Sequence, residues 1–221
     1  MTFSSEWDER YRSNLQMSVW PFSDLVSYVN RYTKPAGKQT RVLELGCGAG
    51  ANIPFFLGQG FKYYGIEGSN TIINKLKRKF PKIKNNLVVG DFTKQIQFKE
   101  KFDLVVDRSS LTHNTTDGIK NCLELVYDKM KKDSTYIGID WFSTDHHDYS
   151  NFVKKLDMYS RTEYSKGQFA DVGIVHFTNK SHLLKLFKKF EILVLEHKVV
   201  TKEIPEKKKF AGWNFVARKR T

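Results

Sequence analysis

Cysteine is nearly missing: Cys47 and Cys122 are the only two in 221 residues. Two thiols make no disulfide framework and give no zinc-ligand spacing, so a stapled secreted scaffold and a zinc module are set aside, and a thiol-reducing cytoplasmic location is expected. Long apolar runs are also lacking. None approaches the roughly 18–20 residues that span a bilayer, so no membrane partner is expected. The opening MTFSSEWDERYRS is acidic and polar where a secretory leader is basic and then apolar. Acidic residues are few beside basic ones, 24 Asp and Glu against 37 Lys and Arg, for a net charge of +13. Arginine, the better residue for forked contacts to phosphates and bases, is scarce beside lysine. Lys75, Lys77, Lys79, Lys82 and Lys84, then Lys185, Lys188 and Lys189, then Lys207, Lys208 and Lys209 read as solvated faces. A nucleic-acid partner is the rival reading of that charge.

What is present is a globular composition, 40% hydrophobic and 14% aromatic, in a length suited to one well-cored domain over 1–221. Short β-branched runs, TRVLEL (40–45), KYYGIE (62–67), NLVVGD (86–91), FDLVVD (102–107) and TYIGID (135–140), read as strands buried on both faces. Between them SNTIINKLKRKF (69–80) and DGIKNCLELVYDKMKK (117–132) repeat apolar residues at helical spacing. This alternation predicts an α/β fold, a Rossmann-like doubly wound sheet with helices on both faces. Near the end KFEILVLEHKVV (189–200) and GWNFVARKR (212–220) leave no room for a helix between them, so they predict an antiparallel pair. Residues 1–34 read as two short helices, one capped by Ser5 with Asp8 three residues on. Residues 141–176 lack a clean period and read as an insertion.

The segment VLELGCGAGAN (42–52) puts three glycines into five positions after a strand. Gly46, Gly48 and Gly50 let the backbone turn tightly and approach a ligand, and Pro54 suits the first turn of the helix that follows. A strand, a glycine turn and a helix start make a nucleotide cradle. Gly46, Gly48 and Ala51 also satisfy the dinucleotide fingerprint, so an NAD-dependent oxidoreductase stays open at this point. Glu44, two residues before the first glycine, repels a pyrophosphate but suits an ammonium group. Glu67 ends the second strand, where a carboxylate accepts both ribose hydroxyls of an adenosine. Asp91 ends the third, within reach of an adenine amino group.

Together VLELGCGAGAN, YYGIEGS (63–69), VVGDF (88–92) and FDLVVDRSSLTH (102–113) resemble the successive motifs of the class I S-adenosylmethionine-dependent methyltransferases, from about residue 40 to the C-terminus. The resemblance implies a seven-stranded sheet with an antiparallel last strand and S-adenosyl-L-methionine bound at the strands' carboxyl ends. It implies that Glu44, Asn52 and the loop of Gly46, Cys47 and Gly48 hold the methionine portion. Glu67, Gly68 and Ser69 then take the ribose, Asp91 and Phe92 flank the adenine, and Asp107 closes the pocket near the sulfonium. EWDERY (6–11) and VWPFSDLV (19–26), with Trp20, resemble the N-terminal helical lid (1–34) of the thiopurine and tellurite-resistance methyltransferases. VVDRSSLTHN (105–114) resembles the fourth motif of that group, with Ser109 and Ser110 where the pattern prefers Gly-Ala. The Asp-Pro-Pro-Tyr type of motif expected of enzymes acting on nucleic-acid bases is absent.

The acceptor side follows from chemistry. Displacement at a sulfonium has a good leaving group, so alignment and exclusion of water carry much of the rate. A base is needed only for a protonated acceptor, and Asp107, Arg108 and His113 lie just past the fourth strand. His113 is the candidate base, with a backbone-bonded structural histidine as the alternative. Arg108 either forks onto an anionic acceptor or pairs internally with Asp107 or Glu124. The insertion (141–176) is expected to form part of the acceptor site. Within DWFSTDHHDYS (140–150), Asp140, Asp145, His146, His147 and Asp148 are metal-capable types, but adjacent histidines rarely chelate one ion, and no metal is expected. The expectation is a methyltransferase acting on a small metabolite, anionic ones included, at oxygen, nitrogen or sulfur. An RNA methyltransferase using the basic surface is the rival within the fold.

Overall fold

The computed structural model describes residues 5–33, 39–149 and 153–220. Strand β1 (Arg41–Leu45) shows how the layers arise. Its side chains alternate faces. Leu43 and Leu45 enter one buried cluster, and Val42 enters another on the opposite side of the sheet. Strands β2 (Lys62–Glu67), β3 (Leu87–Val89), β4 (Phe102–Arg108) and β5 (Met130–Phe142) lie parallel with β1. Three short strands, β6 (Lys154–Lys155), β7 (Ser160–Thr162) and β8 (Val175–His176), form a separate antiparallel sheet inside the insertion. Strands β9 (Phe190–Lys202) and β10 (Lys208–Lys219) complete the main sheet in the order β3-β2-β1-β4-β5-β10-β9, with β10 antiparallel to both neighbours.

Helices cover both faces. Helices α1 (Ser5–Arg12), α2 (Ser23–Tyr32), α3 (Ile53–Gly58) and α4 (Asn70–Lys79) pack with Val42, Tyr63, Leu104 and Ile137. Helices α5 (Thr116–Lys129) and α6 (Lys180–Leu186) pack with Leu43, Ile66, Val105 and Tyr136. The architecture is the doubly wound seven-stranded sheet with a reversed last strand that the sequence predicts. Among the described residues no helix is long and apolar enough to cross a membrane.

Several boundaries differ from expectation, each for a physical reason. β3 stops at Val89 because the Asp91 carboxylate accepts from the Thr93 N–H and hydroxyl, at 3.0 and 2.6 Å, and turns the chain. The final hairpin is longer than its apolar runs, since pairing continues to Lys202 opposite Lys208. Ser5 does not form a cap with Asp8. Its hydroxyl bonds the Glu6 carboxylate, while Asp8 accepts from the Ser69 hydroxyl at 2.5 Å and the Thr71 N–H at 3.2 Å, tying α1 to the start of α4. Of the lid expected over 1–34, residues 1–4 and 34 lie outside the described residues.

Candidate active site

At the carboxyl ends of the parallel strands lies a cleft of about 490 Å³. Its floor is the turn after β1. Gly46 and Gly48 have φ of +64° and +49°, where a side chain is strained, and a Cβ on Gly46 would come within 2.3 Å of the Ser110 Cβ. Glu44 projects beneath this turn, fully buried, with Oε1 accepting from Asn52 Nδ2 at 2.7 Å and Oε2 from the Tyr63 hydroxyl at 2.5 Å. Burial pushes its carboxyl up to about 7 against those two hydrogen bonds. Glu67, at the end of β2, accepts from the Gly48 N–H at 3.0 Å and the Ser69 N–H at 3.2 Å, one on each oxygen. The Gly68 N–H is a third backbone donor to the Glu67 carboxylate, which can take up to four hydrogen bonds. Burial raises its carboxyl too, opposed by those backbone donors.

Glu44, Gly46, Cys47, Gly48, Asn52, Glu67, Asp91, Phe92, Arg108 and His113 all line the cleft, so the structure gathers most of the sequence-selected residues into one place. Four do not line it. Trp20 is 82% exposed on the outer surface. Gly68 donates its N–H to the Glu67 carboxylate, and Ser69 is buried as the cap of α4, accepting from the Ile72 N–H at 3.1 Å. Asp107 is fully buried with its carboxylate committed to the fold. Oδ1 accepts from the N–H groups of Ser110 (2.9 Å) and Leu111 (3.1 Å) and from the Ser110 hydroxyl, and Oδ2 accepts from Trp141 Nε1 (2.6 Å). The side chain that was expected to close the pocket instead shapes the turn beneath it.

The lid residues that do reach the cleft went unassigned in the sequence. Trp7 and Tyr11, four apart on one face of α1, line it with Phe22. The Phe22 N–H donates to Asn52 Oδ1 at 3.2 Å, and Arg10 donates to the carbonyls of Ala170 and Asp171, so the front segment is fastened at both ends. The i, i+4 aromatic spacing in EWDERY was the available signal.

Arg108 pairs with Asp140 at 3.0 Å, not with Asp107 or Glu124, and lies 3.6 Å from the centre of the Phe22 ring. His113 combines both of its readings. Nδ1 lies 2.9 Å from the Ile174 carbonyl, which only accepts, so a neutral ring carries its proton there and offers the Nε2 lone pair. Burial holds its pKa down to about 4. In the insertion, Phe142, His146 and Phe169 line the cleft, while Trp141 is core and His176 is buried against the Ser160 hydroxyl at 3.0 Å. His146, His147 and Asp148 bring ligand-type atoms within 4.8 Å of one another, yet the His146 Nδ1 lone pair accepts from the Asp148 N–H at 3.1 Å and His147 Nδ1 donates to the Lys209 carbonyl at 2.8 Å.

Residues 42–133 match the family model described as "Methyltransferase domain", a segment that carries Glu44, Glu67, Asp91 and His113. The chain is similar in structure to a SAM-dependent methyltransferase from Methanosarcina mazei, with a TM-score of 0.70 and 16% identity over 91% of this chain and 99% of that one. It is similar to TehB from Haemophilus influenzae (0.60 and 17%, over 96% and 67%) and to the magnesium protoporphyrin IX methyltransferase of Synechocystis with bound SAM (0.55 and 14%, over 89% and 76%). No curated protein matches in sequence. The fold is that of the SAM-dependent methyltransferases, and residues 42–133 within it are the segment that matches the methyltransferase-domain model.

Proposed function

We propose that this protein is an enzyme that transfers a methyl group from S-adenosyl-L-methionine to a small-molecule acceptor. One observation carries the reading: two buried carboxylates flank a bare glycine turn at the mouth of a cleft that continues past it. The charges suit the cofactor. Glu44, Glu67, Asp91 and Asp140 line the cleft against Arg108 and Lys198, an excess of carboxylates suited to a ligand bearing an ammonium and a sulfonium. Glu44 takes the amino group, Glu67 takes the ribose hydroxyls, and Asp91 with Phe92 takes the adenine.

Bound there, the cofactor supplies an electrophilic methyl group on a positively charged sulfur. The acceptor's nucleophilic atom forms the new bond to that carbon, the electron pair of the broken bond stays with sulfur, and the acceptor's proton passes to His113 Nε2 and on to water. Tyr11, Trp7 and Phe22 exclude solvent from above. Calorimetric titration of S-adenosylhomocysteine tests the reading: saturable binding is expected, and its absence from folded protein removes the proposal. NADH titrated in parallel produces no saturable heat.

A further inference from the structure

Beyond the glycine turn the cleft is walled by an unbroken run of six rings. Successive centroids are 4.9 Å apart from Trp7 to His113, 5.9 Å on to Phe142, 4.7 Å to Phe169, 5.2 Å to His146 and 5.5 Å to Phe210. All six line the cleft, yet they come from α1, the turn after β4, the end of β5, the insertion and β10. Elements this scattered in sequence converge on one aromatic wall, its rings inclined to one another by 50–86°, a surface that meets a planar ring by edge and offset contacts.

Carboxylates outnumber cations in this cleft, with Glu44, Glu67, Asp91 and Asp140 against Arg108 and Lys198. Among the described residues its two cations are Arg108 and Lys198. The first is paired with Asp140 at 3.0 Å and the second is paired with Asp24. An anionic acceptor therefore meets more like charge than opposite charge, and the pairing of both cations with carboxylates offsets their pull. His113 narrows the choice further, because its Nδ1–H is committed to the Ile174 carbonyl and only the Nε2 lone pair is left for a donor on the acceptor.

We propose that the acceptor is an uncharged planar aromatic molecule bearing a ring hydroxyl, seated on this ring wall with the hydroxyl donating to His113 Nε2. The assignment rests on the methyltransferase reading above and deepens it. In the step, the C–S bond breaks with its electron pair left on sulfur, the aryl oxygen bonds the methyl carbon, and the hydroxyl proton moves to Nε2. Burial makes His113 a weak base, which matches the acidity of an aryl hydroxyl, near 10 as in tyrosine, better than that of an alkyl alcohol.

Calorimetry on the full chain tests this in two stages. S-adenosylhomocysteine is titrated first. Into the saturated protein are then titrated 2-naphthol, its saturated counterpart decahydro-2-naphthol, and its carboxylated counterpart 6-hydroxy-2-naphthoate. 2-Naphthol is expected to bind at least about tenfold more tightly than either counterpart, and Phe210→Ala to weaken it roughly three- to tenfold. Phe210 is half-buried on a hairpin, and the first titration, unchanged in the variant, reports an intact fold. A second variant, Phe142→Leu, is expected to give a loss of the same order. Failure of S-adenosylhomocysteine to bind removes the methyltransferase reading and this proposal with it. Normal binding in the first stage, followed by 2-naphthol binding no more tightly than decahydro-2-naphthol or less tightly than the carboxylate, overturns the aromatic acceptor alone.

Discussion

Glu67 joins two parts of the site, since its carboxylate already holds the glycine turn through the Gly48 N–H. Glu67→Gln is therefore expected to weaken S-adenosylhomocysteine by roughly 1.5–3 kcal/mol, the scale of a hydrogen bond to a charged group. An unchanged dissociation constant in calorimetry counts against its ribose role. Glu44 makes a prediction of sign. With its folded pKa raised to about 7, it is half protonated near neutrality, and gaining an ammonium partner deprotonates it. Binding at pH 6.5 thus releases a proton, seen as a dependence of the heat on buffer ionisation enthalpy, and Glu44→Gln abolishes that dependence. His113→Ala is expected to lower turnover about 10²-fold or more while leaving S-adenosylhomocysteine affinity intact. Both glutamates were legible in the sequence because a strand end beside a glycine turn leaves their carboxylates few places to go. Asp107 was misread for a local reason. The same strand-end position fits a ligand or a turn, and only the fold reveals that the Ser110 and Leu111 N–H groups and Trp141, 34 residues on, absorb its oxygens.

Among the elements, α1 shows what a sequence pattern leaves out. Its helical character and its place in a lid were readable from EWDERY, but not which rings it turns inward, since Trp20 and Trp7 are equally apolar as letters. Tertiary bonds decide this. Asp8 reaches the N-terminus of α4, and Arg10 reaches the carbonyls of Ala170 and Asp171 in the insertion. Arg10→Ala is expected to loosen this edge, giving faster proteolysis between α1 and α2 and slower proteolysis again once S-adenosylhomocysteine is added. Equal cleavage rates in wild type and variant count against a fastening role. The insertion had no readable period because its strands are two or three residues long, too short for alternation to register, and its order comes from a ring cluster of Tyr164, Phe169 and Phe177. The long parallel strands were readable because burial on both faces writes itself as continuous hydrophobicity.

At the scale of the whole molecule, charge and protonation work in separate places. His146, His176 and His182 are buried and His113 is half-buried, and desolvation holds His113, His146, His176 and His182 down to about 4, 4, 3 and 4. Their folded pKa values lie below the unfolded value near 6.5, so their contribution is complete above pH 6.5 and is lost as pH falls toward 4, by up to about 1.4 kcal/mol per pH unit for each. Glu44, raised to about 7, and Glu67 and Asp107, whose carboxyls burial also raises, act in the opposite sense, three groups against the four histidines. The urea midpoint is thus expected to be clearly lower at pH 5 than at pH 7, and an equal or higher midpoint at pH 5 overturns this account. The net charge of +13 was plain in the composition, but its placement was not. Inside the cleft carboxylates outnumber cations, so the sign of the lining is opposite to that of the chain as a whole.

The carboxylate-rich lining also bears on what happens once the methyl group has gone. In the proposed reaction the donor enters with a positive sulfur and the spent thioether leaves without one, so the side chains that attract the reactant have one charge fewer to hold afterwards. On that reading the walls themselves favour discharge of the leftover nucleoside.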